Sequence, residues 1–248
     1  MRFSANLGYL FLDLPFVERI AAAARAGFDA VEFHDQAQVN DLRRIAAELQ
    51  ATGLPLLAIN LRMGDTAGCA AIPGSQQLFR QDLAHGLDVA ERLGARAIHV
   101  LSGCSRGPDA RAALIDNLGW AMGEVDRTLL LEPICQAAIP GYHLHSLADF
   151  DEVVGVVDDS RLRLMADWYH LSHSEGANAL SGIEARLARL GHLQIARPRD
   201  RAEPMASDLP LWARLRDLAQ SAGCGFTGLE YRPGRAPHEV LASLRAVP

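Results

Sequence analysis

The sequence predicts a single (β/α)8 barrel, because eight short apolar runs alternate with amphipathic stretches along all 248 residues. Strict alternation of strands with helices predicts a parallel sheet covered by helices, and eight such units favour closure into a barrel. The hydrophobic fraction of 49% provides the core of one domain spanning residues 1–248. A doubly wound open sheet is the alternative, but the chain has no GxGxxG motif after its first apolar run and no P-loop motif.

The predicted strands and helices follow one another in regular order. In the first half, strands are expected at residues 2–7, 28–33, 54–60 and 96–101. The helices that follow them are expected at residues 15–26, 41–52, 76–93 and 109–125. In the second half, the strands are expected to end at Glu132, Asp167, Gln194 and Glu230. Their helices are expected at residues 147–157, 179–190, 210–222 and 237–246.

Residues at the element boundaries support these assignments. Pro15 suits the first turn of the first helix, where the N–H that proline lacks would have no helical partner. Glycines follow four of the predicted helices, as is typical of helix ends; they are Gly27, Gly53, Gly94 and Gly223. The irregular stretches 62–75 and 196–208 both follow strands, so we expect them to form loops on the functional rim.

Four polar residues end the apolar runs of the second half of the chain. Glu132, Asp167, Gln194 and Glu230 are separated by 35, 27 and 36 residues. A barrel of about 250 residues gives each unit about 31 residues, and its strand ends share the rim that holds the active site. Three carboxylates and an amide oxygen converging there predict an all-oxygen site for Mg²⁺ or Mn²⁺. Each residue taken singly is also typical of a loop or a helix N-cap, so the joint spacing carries the interpretation.

The amino-acid composition limits which binding partners and which cellular compartment are expected. A formal net charge of −6 argues against a nucleic-acid partner, because phosphate binding favours a basic face. The four cysteines form no CxxC or Cys/His pair, so we expect reduced thiols. No run approaches the ~20 apolar residues of a membrane span, and the N-terminus has no apolar stretch of signal length. We therefore expect a soluble cytoplasmic protein that acts on a small molecule, and the sequence leaves homo-oligomer formation open.

Seven short motifs follow one another along nearly the whole chain. They are RFSANL at 2–7, AGFDAVEF at 26–33, LEPI at 131–134, IPGY at 139–142, DWYH at 167–170, GHLQIA at 191–196 and GLEYRP at 228–233. Together these motifs resemble the hydroxypyruvate isomerase family. That family is a branch of the xylose-isomerase-like TIM barrels, and the same branch includes 2-oxo-tetronate isomerases.

The resemblance implies a metal-dependent isomerase of the aldose–ketose type, which converts hydroxypyruvate to tartronate semialdehyde through an enediolate. In that family the glutamates matching Glu132 and Glu230 bind a divalent metal and form the catalytic acid/base pair. The residues matching Asp167 and Gln194 complete the metal shell. The resemblance thus implies the same four residues that the spacing selects.

Five further residues are expected to bind substrate or support the site: His170, His192, Arg201, Asn60 and Glu32. His170 and Arg201 match family positions near the site. Arg201 is expected to pair with a substrate carboxylate, and a solvated loop arginine is the alternative. His192 faces the same side of its strand as Gln194, as a substrate-binding or a supporting group. Glu32 and Asn60 end the second and the third predicted strand, respectively. His99 is expected to be a hydrogen-bonded histidine of the barrel interior.

The chain departs from the family pattern in the loops predicted to surround the substrate. The family's His-Asn-Leu-Pro-Ala-Gly-Asp motif reads INLRMGD at residues 59–65, and the tryptophan and Glu-Arg-Gly that usually follow are missing. Cys135 stands where the family has Asn, and Arg197 where it has Asp. Because these changes spare the four predicted site residues, we expect the reaction type to be kept and leave an altered substrate open.

Three other functions stay open at this point. One is a metal-dependent epimerase or dehydratase that uses the same two glutamates on a longer polyol or ketose. Another is an apurinic-site endonuclease, which would need a histidine-rich rim for several metals and a basic face. The third is a non-catalytic relative that keeps the fold. Product analysis separates the first from an isomerase, because an epimerase leaves the carbonyl where it was.

Overall fold

Eight short parallel strands form a closed barrel in which consecutive strands are neighbours and the last pairs with the first. The computed structural model of the chain describes residues 2–246, except for the side chain of Ala206. The strands are β1 (Phe3–Asn6), β2 (Ala30–Phe33), β3 (Leu56–Asn60), β4 (Ala97–His99), β5 (Thr128–Leu131), β6 (Leu162–Asp167), β7 (Leu190–Ile195) and β8 (Thr227–Leu229). This topology confirms the predicted (β/α)8 fold class.

Helices connect the strands throughout the described residues. They are α1 (Phe16–Arg25), α2 (Leu42–Thr52), α3 (Gln76–Leu93), α4 (Pro108–Glu124), α5 (Leu147–Val157), α6 (Trp168–Ser174), α7 (Ala179–Ala185), α8 (Leu209–Ser221) and α9 (Pro237–Arg245). Within residues 2–246, none of these helices is both long enough and apolar enough to span a membrane.

Two elements differ from the sequence prediction. The helix predicted at 179–190 ends earlier, because α7 stops at Ala185 and a 3-10 turn follows at Leu187–Arg189. Leu190 is fully buried and pairs with Leu164 of β6, so it begins β7 instead of ending a helix. The short helix α6 was not predicted, and it begins directly after the last residue of β6.

Local signals in the sequence set several helix ends. The Asp41 side chain accepts a hydrogen bond of 2.9 Å from the backbone N–H of Arg43 at the start of α2. Ser146 and Asp149 form a reciprocal capping box at the start of α5. Such caps typically contribute about 1 kcal/mol each. Gly53 ends α2 with a φ of 68°, a left-handed conformation that glycine adopts without a steric penalty.

The barrel interior changes from apolar to polar toward the carboxyl ends of its strands. Ala58, Ala97, Leu130 and Met165 form a buried apolar cluster contributed by β3 to β6. A polar residue stands two positions after each of these apolar residues, and residues two apart on a strand face the same side. Those polar residues are Asn60, His99, Glu132 and Asp167, all of them buried. The strand register thus collects polar side chains in one layer above an apolar floor.

Candidate active site

The four residues selected by their spacing lie at the carboxyl ends of β5 to β8. Glu132 directly follows β5, Asp167 ends β6, Gln194 is the penultimate residue of β7, and Glu230 directly follows β8. Asp167 and Gln194 are register partners on neighbouring strands. All four side chains are buried, with exposed fractions of 0% to 6%. The sequence prediction placed these residues on one rim, and the closed barrel puts them there.

Two cavities meet at this rim. The larger, of about 340 Å³, is lined by Glu132 and Glu230 together with His170 and Arg201. The smaller, of about 20 Å³, reaches Gln194 and the apolar floor. Five side chains line both cavities: His34, Asn60, His99, Glu132 and Glu230. A volume of about 340 Å³ is within the range of about 300–1,000 Å³ that is usual for small-molecule sites.

Arg201 lies among the acidic side chains. Its Nη2 atom donates to Asp167 Oδ2 at 2.9 Å and to Glu230 Oε1 at 2.5 Å. Its Nη1 atom is 3.1 Å from His170 Nε2. One guanidinium therefore bridges two of the carboxylates that were predicted as metal ligands, and it also faces the larger cavity.

Aromatic rings and an unusual backbone conformation fix the position of Arg201. The guanidinium carbon is 4.6 Å from the ring centroid of Tyr9 and 4.9 Å from that of Tyr169, within the range of cation–π contacts. The Arg201 backbone has a φ of 56°, in the left-handed region. Such a conformation costs a non-glycine residue about 1–3 kcal/mol, and residues of this kind cluster at functional sites.

His170 contacts the same group of charges from α6. Its Nε2 atom lies 3.7 Å from Glu132 Oε1 and 3.6 Å from Asp167 Oδ2, and one ligand atom from each of these three residues lies within 4.8 Å of the others. Burial and the neighbouring Arg201 lower the pKa of His170 well below its usual value. The ring is therefore neutral, and Nε2 accepts from Arg201. The proton is then on Nδ1, which is 3.3 Å from the sulfur of Cys135.

The two glutamates of the cavity have very different proton affinities. Burial raises the pKa of Glu132 well above its usual value, and the charges of Glu230 and Asp167 add to this. Burial also raises the pKa of Asp167, to about 7, against the opposing effect of Arg201. For Glu230, burial is outweighed by Arg201 and His34, which lower its pKa to about 2. At neutral pH Glu230 is thus ionised, and Glu132 has the higher proton affinity of the two.

A buried polar network holds Gln194 in place. The Gln194 amide donates from Nε2 to Glu32 Oε2 at 2.8 Å, so its oxygen points away from Glu32. His192 Nε2 is 3.0 Å from Glu32 Oε1, and the Ser4 hydroxyl donates to the same oxygen. Although burial opposes both charges, their attraction lowers the pKa of Glu32 and raises that of His192. Glu32 reaches only the smaller cavity and His192 lines neither, so this pair supports Gln194 from below.

Gly228 of β8 makes room for this network. A Cβ atom at this position would lie 2.6 Å from Glu32 Oε1, 2.8 Å from Gln194 Cγ and 3.1 Å from His192 Nε2. Contacts this short require the neighbours to move. Because Glu32 is fixed by several partners, they cannot move freely, and the position favours glycine.

The oxygen atoms at this site fit a divalent cation. Among the described residues, Glu132 Oε1 and Gln194 Oε1 are buried without a hydrogen-bond partner. Buried polar atoms normally have partners, and buried carboxylates normally have a neutralising charge. Carboxylate and amide oxygens are the donors that Mg²⁺ and Mn²⁺ prefer. The residues present are therefore compatible with such an ion, and His170 lies close enough to offer a nitrogen.

Several residues of the site were not predicted from the sequence. Asn6 Nδ2 donates to Glu230 Oε2 at 2.8 Å, and His34 Nε2 is 3.7 Å from Glu230 Oε1. His99 is the hydrogen-bonded interior histidine that was expected, with Nδ1 3.1 Å from Asn60 Oδ1. It also lines both cavities, and its Nε2 atom is 3.6 Å from Glu132 Oε2 without a hydrogen bond. Burial lowers the pKa of His99 to about 3, so it is neutral. Asn6 ends β1, so the rule applied to the last four strands would have identified it.

Known proteins are similar to this chain over nearly its whole length. Residues 20–247 match the xylose isomerase-like TIM barrel family. Hydroxypyruvate isomerase of Escherichia coli K12 is 32% identical over 94% of this chain and 94% of its own. The 2-oxo-tetronate isomerase of Cupriavidus necator is 33% identical over 94% of this chain and 93% of its own. A crystal structure named AP endonuclease, family 2, from Brucella melitensis has a TM-score of 0.88 and 31% identity over 97% of this chain and 96% of its own.

Proposed function

We propose that this chain, an isomerase of the xylose isomerase-like TIM barrel family, interconverts a small hydroxy-keto acid and its aldehyde isomer. The first candidate pair is hydroxypyruvate and tartronate semialdehyde. The observation that carries this proposal is that Glu132 and Glu230, both buried, line one cavity of small-molecule size. The reaction moves a proton from one carbon to its neighbour. Two carboxyl groups on the wall of one cavity can take and return that proton.

We propose that Glu132, Asp167, Gln194 and Glu230 hold Mg²⁺ or Mn²⁺. The unpartnered oxygens of Glu132 and Gln194 support this assignment, as does the concentration of buried carboxylates. Such an ion would polarise the substrate carbonyl and stabilise the negative charge that develops on the substrate oxygens, an effect worth several kcal/mol.

The opposite pKa shifts of Glu132 and Glu230 favour different catalytic roles for these two residues. Neighbouring carboxyl groups whose pKa values are driven apart commonly serve as base and acid. Glu230 is ionised at neutral pH and Asn6 fixes one of its oxygens, so we assign it to proton removal. Glu132 has the higher proton affinity of the two, so we assign it to proton return. Positioned groups of this kind usually contribute ~10²–10⁴-fold to the rate.

The remaining predicted residues divide into two groups. Arg201, His170 and Asn60 line the larger cavity, and we propose that they contact the substrate. Glu32 and His192 are paired with each other beneath Gln194. We propose that they orient the Gln194 amide. For His192, the sequence left open a substrate-binding and a supporting role, and this is the supporting role.

A four-carbon acid is a second candidate substrate. The cavity of about 340 Å³ exceeds what a three-carbon acid fills, and a 2-oxo-tetronate isomerase is among the aligned relatives. An endonuclease activity, suggested by the name of the Brucella protein, is not proposed. A net charge of −6 and a cavity lined by buried carboxylates do not suit a polyanionic backbone.

The proposal is tested by following both substrates by NMR in D₂O with Mg²⁺ or Mn²⁺ present. We expect the ketone to disappear, the aldehyde isomer to appear, and solvent deuterium to enter the carbon that receives the proton. An epimerase would leave the carbonyl where it was. Absence of turnover with three- and four-carbon hydroxy-keto acids would contradict the proposal.

Substitution of the glutamates tests the mechanism. Glu132→Gln and Glu230→Gln each keep an oxygen for the cation but cannot transfer the proton, so each should lower kcat by at least ~10²-fold while the protein stays folded. The double variant should be scarcely slower than either single one, because two groups of one relay are not additive. A single variant that isomerises at nearly the wild-type rate would rule out the two-glutamate mechanism.

A further inference from the structure

Arg232 places an unpaired guanidinium at the mouth of the larger cavity. That cavity is lined by two arginines, Arg201 and Arg232. The first is buried and committed to Asp167 and Glu230. Arg232 is exposed, and within residues 2–246 its guanidinium has no hydrogen bond, ion pair or ring contact. Of the two cations on the wall, Arg232 is therefore the one free to receive an anion.

The backbone holds Arg232 in this position. Its N–H donates to the carbonyl of Arg201 at 2.7 Å, and Ala202 and Arg232 form a parallel bridge. The segment after β8 continues to alternate, because Glu230 and Arg232 both line the cavity whereas Tyr231 between them is fully buried. The arginine thus extends from a backbone that is bonded to the neighbouring loop.

The charges inside the cavity determine which way an acidic substrate faces. Glu132 and Glu230 line both the larger and the smaller cavity, and buried Asp167 bonds the same guanidinium as Glu230. The inner arginine, Arg201, is already paired with Asp167 and Glu230, so within residues 2–246 the inner wall offers a substrate carboxylate no unpaired guanidinium. The carbonyl and hydroxyl carbons must reach the two glutamates. The carboxylate is then left pointing toward the mouth, where Arg232 stands.

We propose that Arg232 binds the carboxylate of the substrate and selects anionic hydroxy ketones over neutral ones. The inference rests on the proposed function, because it takes a small hydroxy-keto acid as the substrate. A guanidinium offers two parallel N–H donors that match a carboxylate. A free cation at the mouth of an acidic cavity also offers an anionic substrate a favourable approach that the buried carboxylates do not.

The test compares charged and uncharged ligands in the Mg²⁺-loaded protein. Arg232→Gln removes the charge and Arg232→Lys keeps it without the planar fork. Arg235→Gln is the matched control, because Arg235 belongs to the same loop, pairs with Glu239 at 3.6 Å and does not line the cavity. Calorimetry would measure the binding of glycerate, a three-carbon hydroxy acid that cannot be isomerised. Kinetics would compare hydroxypyruvate with dihydroxyacetone, in which a hydroxymethyl group replaces the carboxylate.

We expect Arg232→Gln to weaken glycerate binding about tenfold or more and to raise KM for hydroxypyruvate with little change in kcat. Arg232→Lys should retain part of the affinity, and Arg235→Gln should behave like wild type. Turnover of dihydroxyacetone should be unchanged by Arg232→Gln. Equal glycerate affinity in wild type and Arg232→Gln, or an equal loss in Arg235→Gln, would overturn the inference. The binding measurement needs no turnover, so it stays decisive even where no substrate is converted.

Discussion

At the level of single residues, the shared carboxylates of Asp167 and Glu230 are the main feature of this site. Sequence spacing assigned both to a cation, and the structure shows both paired with the Arg201 guanidinium. A guanidinium and a divalent cation compete for the same oxygens when they share a site. We therefore expect Arg201 to weaken cation binding, in addition to facing the cavity where the substrate is expected.

We predict that Arg201→Ala binds Mg²⁺ more tightly than wild type, by roughly tenfold, since one unit of competing charge is worth an energy of this order. Calorimetry near pH 8 would measure this with the least competition from protons. Arg197→Ala is the control, because Arg197 lies in the same loop and pairs with Asp200 away from the cavity. Unchanged or weaker Mg²⁺ affinity in Arg201→Ala would contradict the shared-ligand interpretation.

The residues that could be predicted from the sequence are those fixed by strand position. Glu132, Asp167 and Glu230 follow from the rule that parallel strands of a barrel end at one rim. The pairing of Arg201 could not be predicted, because it depends on a loop with a left-handed residue that no periodic pattern indicates. The contact between Cys135 and His170 likewise joins residues 35 positions apart that no motif connects.

At the level of elements, the layering of the strands determines which polar groups reach the site. Gln194 and His192 share one face of β7, yet only Gln194 reaches a cavity. Gly228 on the neighbouring strand β8 leaves the space that the His192–Glu32 pair occupies. The loop at 62–75 was predicted to lie on the rim. It is held by backbone hydrogen bonds from Ala70 and Ala71 to the segment after β4, and of its residues only Met63 lines the larger cavity within the described chain.

Gly228→Ala tests this packing. Because the added methyl would collide with Glu32 and Gln194, we expect a loss of about 1–3 kcal/mol in the free energy of unfolding. Mg²⁺ affinity should fall by about 10–100-fold, as is usual when the groups that orient a ligand are disturbed.

Gly155→Ala is the matched control for this substitution. Gly155 lies in α5 with nothing within 4 Å of the added methyl, so alanine there should stabilise by about 0.4–1 kcal/mol. Denaturant unfolding and calorimetry on both variants would measure the difference. Wild-type Mg²⁺ affinity in Gly228→Ala would show that the network beneath Gln194 does not support the cation site.

The helix α6 was missed in the sequence because one residue serves both this helix and the strand before it. Asp167 ends β6 and also caps α6, where its Oδ1 atom accepts from the Tyr169 N–H at 2.8 Å. A seven-residue helix is too short to show a clear helical period, so sequence periodicity did not reveal it. The long amphipathic helix α3 has that period, and both its ends were predicted correctly.

At the level of the whole molecule, the site places a buried acidic cluster in a protein that already carries a net charge of −6. Glu132 and Asp167 keep their protons to higher pH in the folded protein than in the unfolded chain, where carboxyl pKa values are about 4. Between those values the folded state binds more protons, so the free energy of unfolding contributed by these groups falls as pH rises from about 4 through about 7. A cation favours the ionised forms and offsets this loss.

We therefore predict that the increase in Tm caused by Mg²⁺, relative to EDTA, is small near pH 5 and several degrees larger near pH 8. One pKa unit corresponds to about 1.4 kcal/mol, and a protein of this size gains about 2–4 °C per kcal/mol. Other titrating groups affect both conditions alike, so the difference in Tm isolates the site. Thermal unfolding across this pH range would measure it. In Asp167→Asn the group with a pKa of about 7 is gone, so the difference should become smaller and depend less on pH. A Tm difference that is constant from about pH 5 to 8 in the wild type would mean that no proton leaves these carboxyl groups when the cation binds.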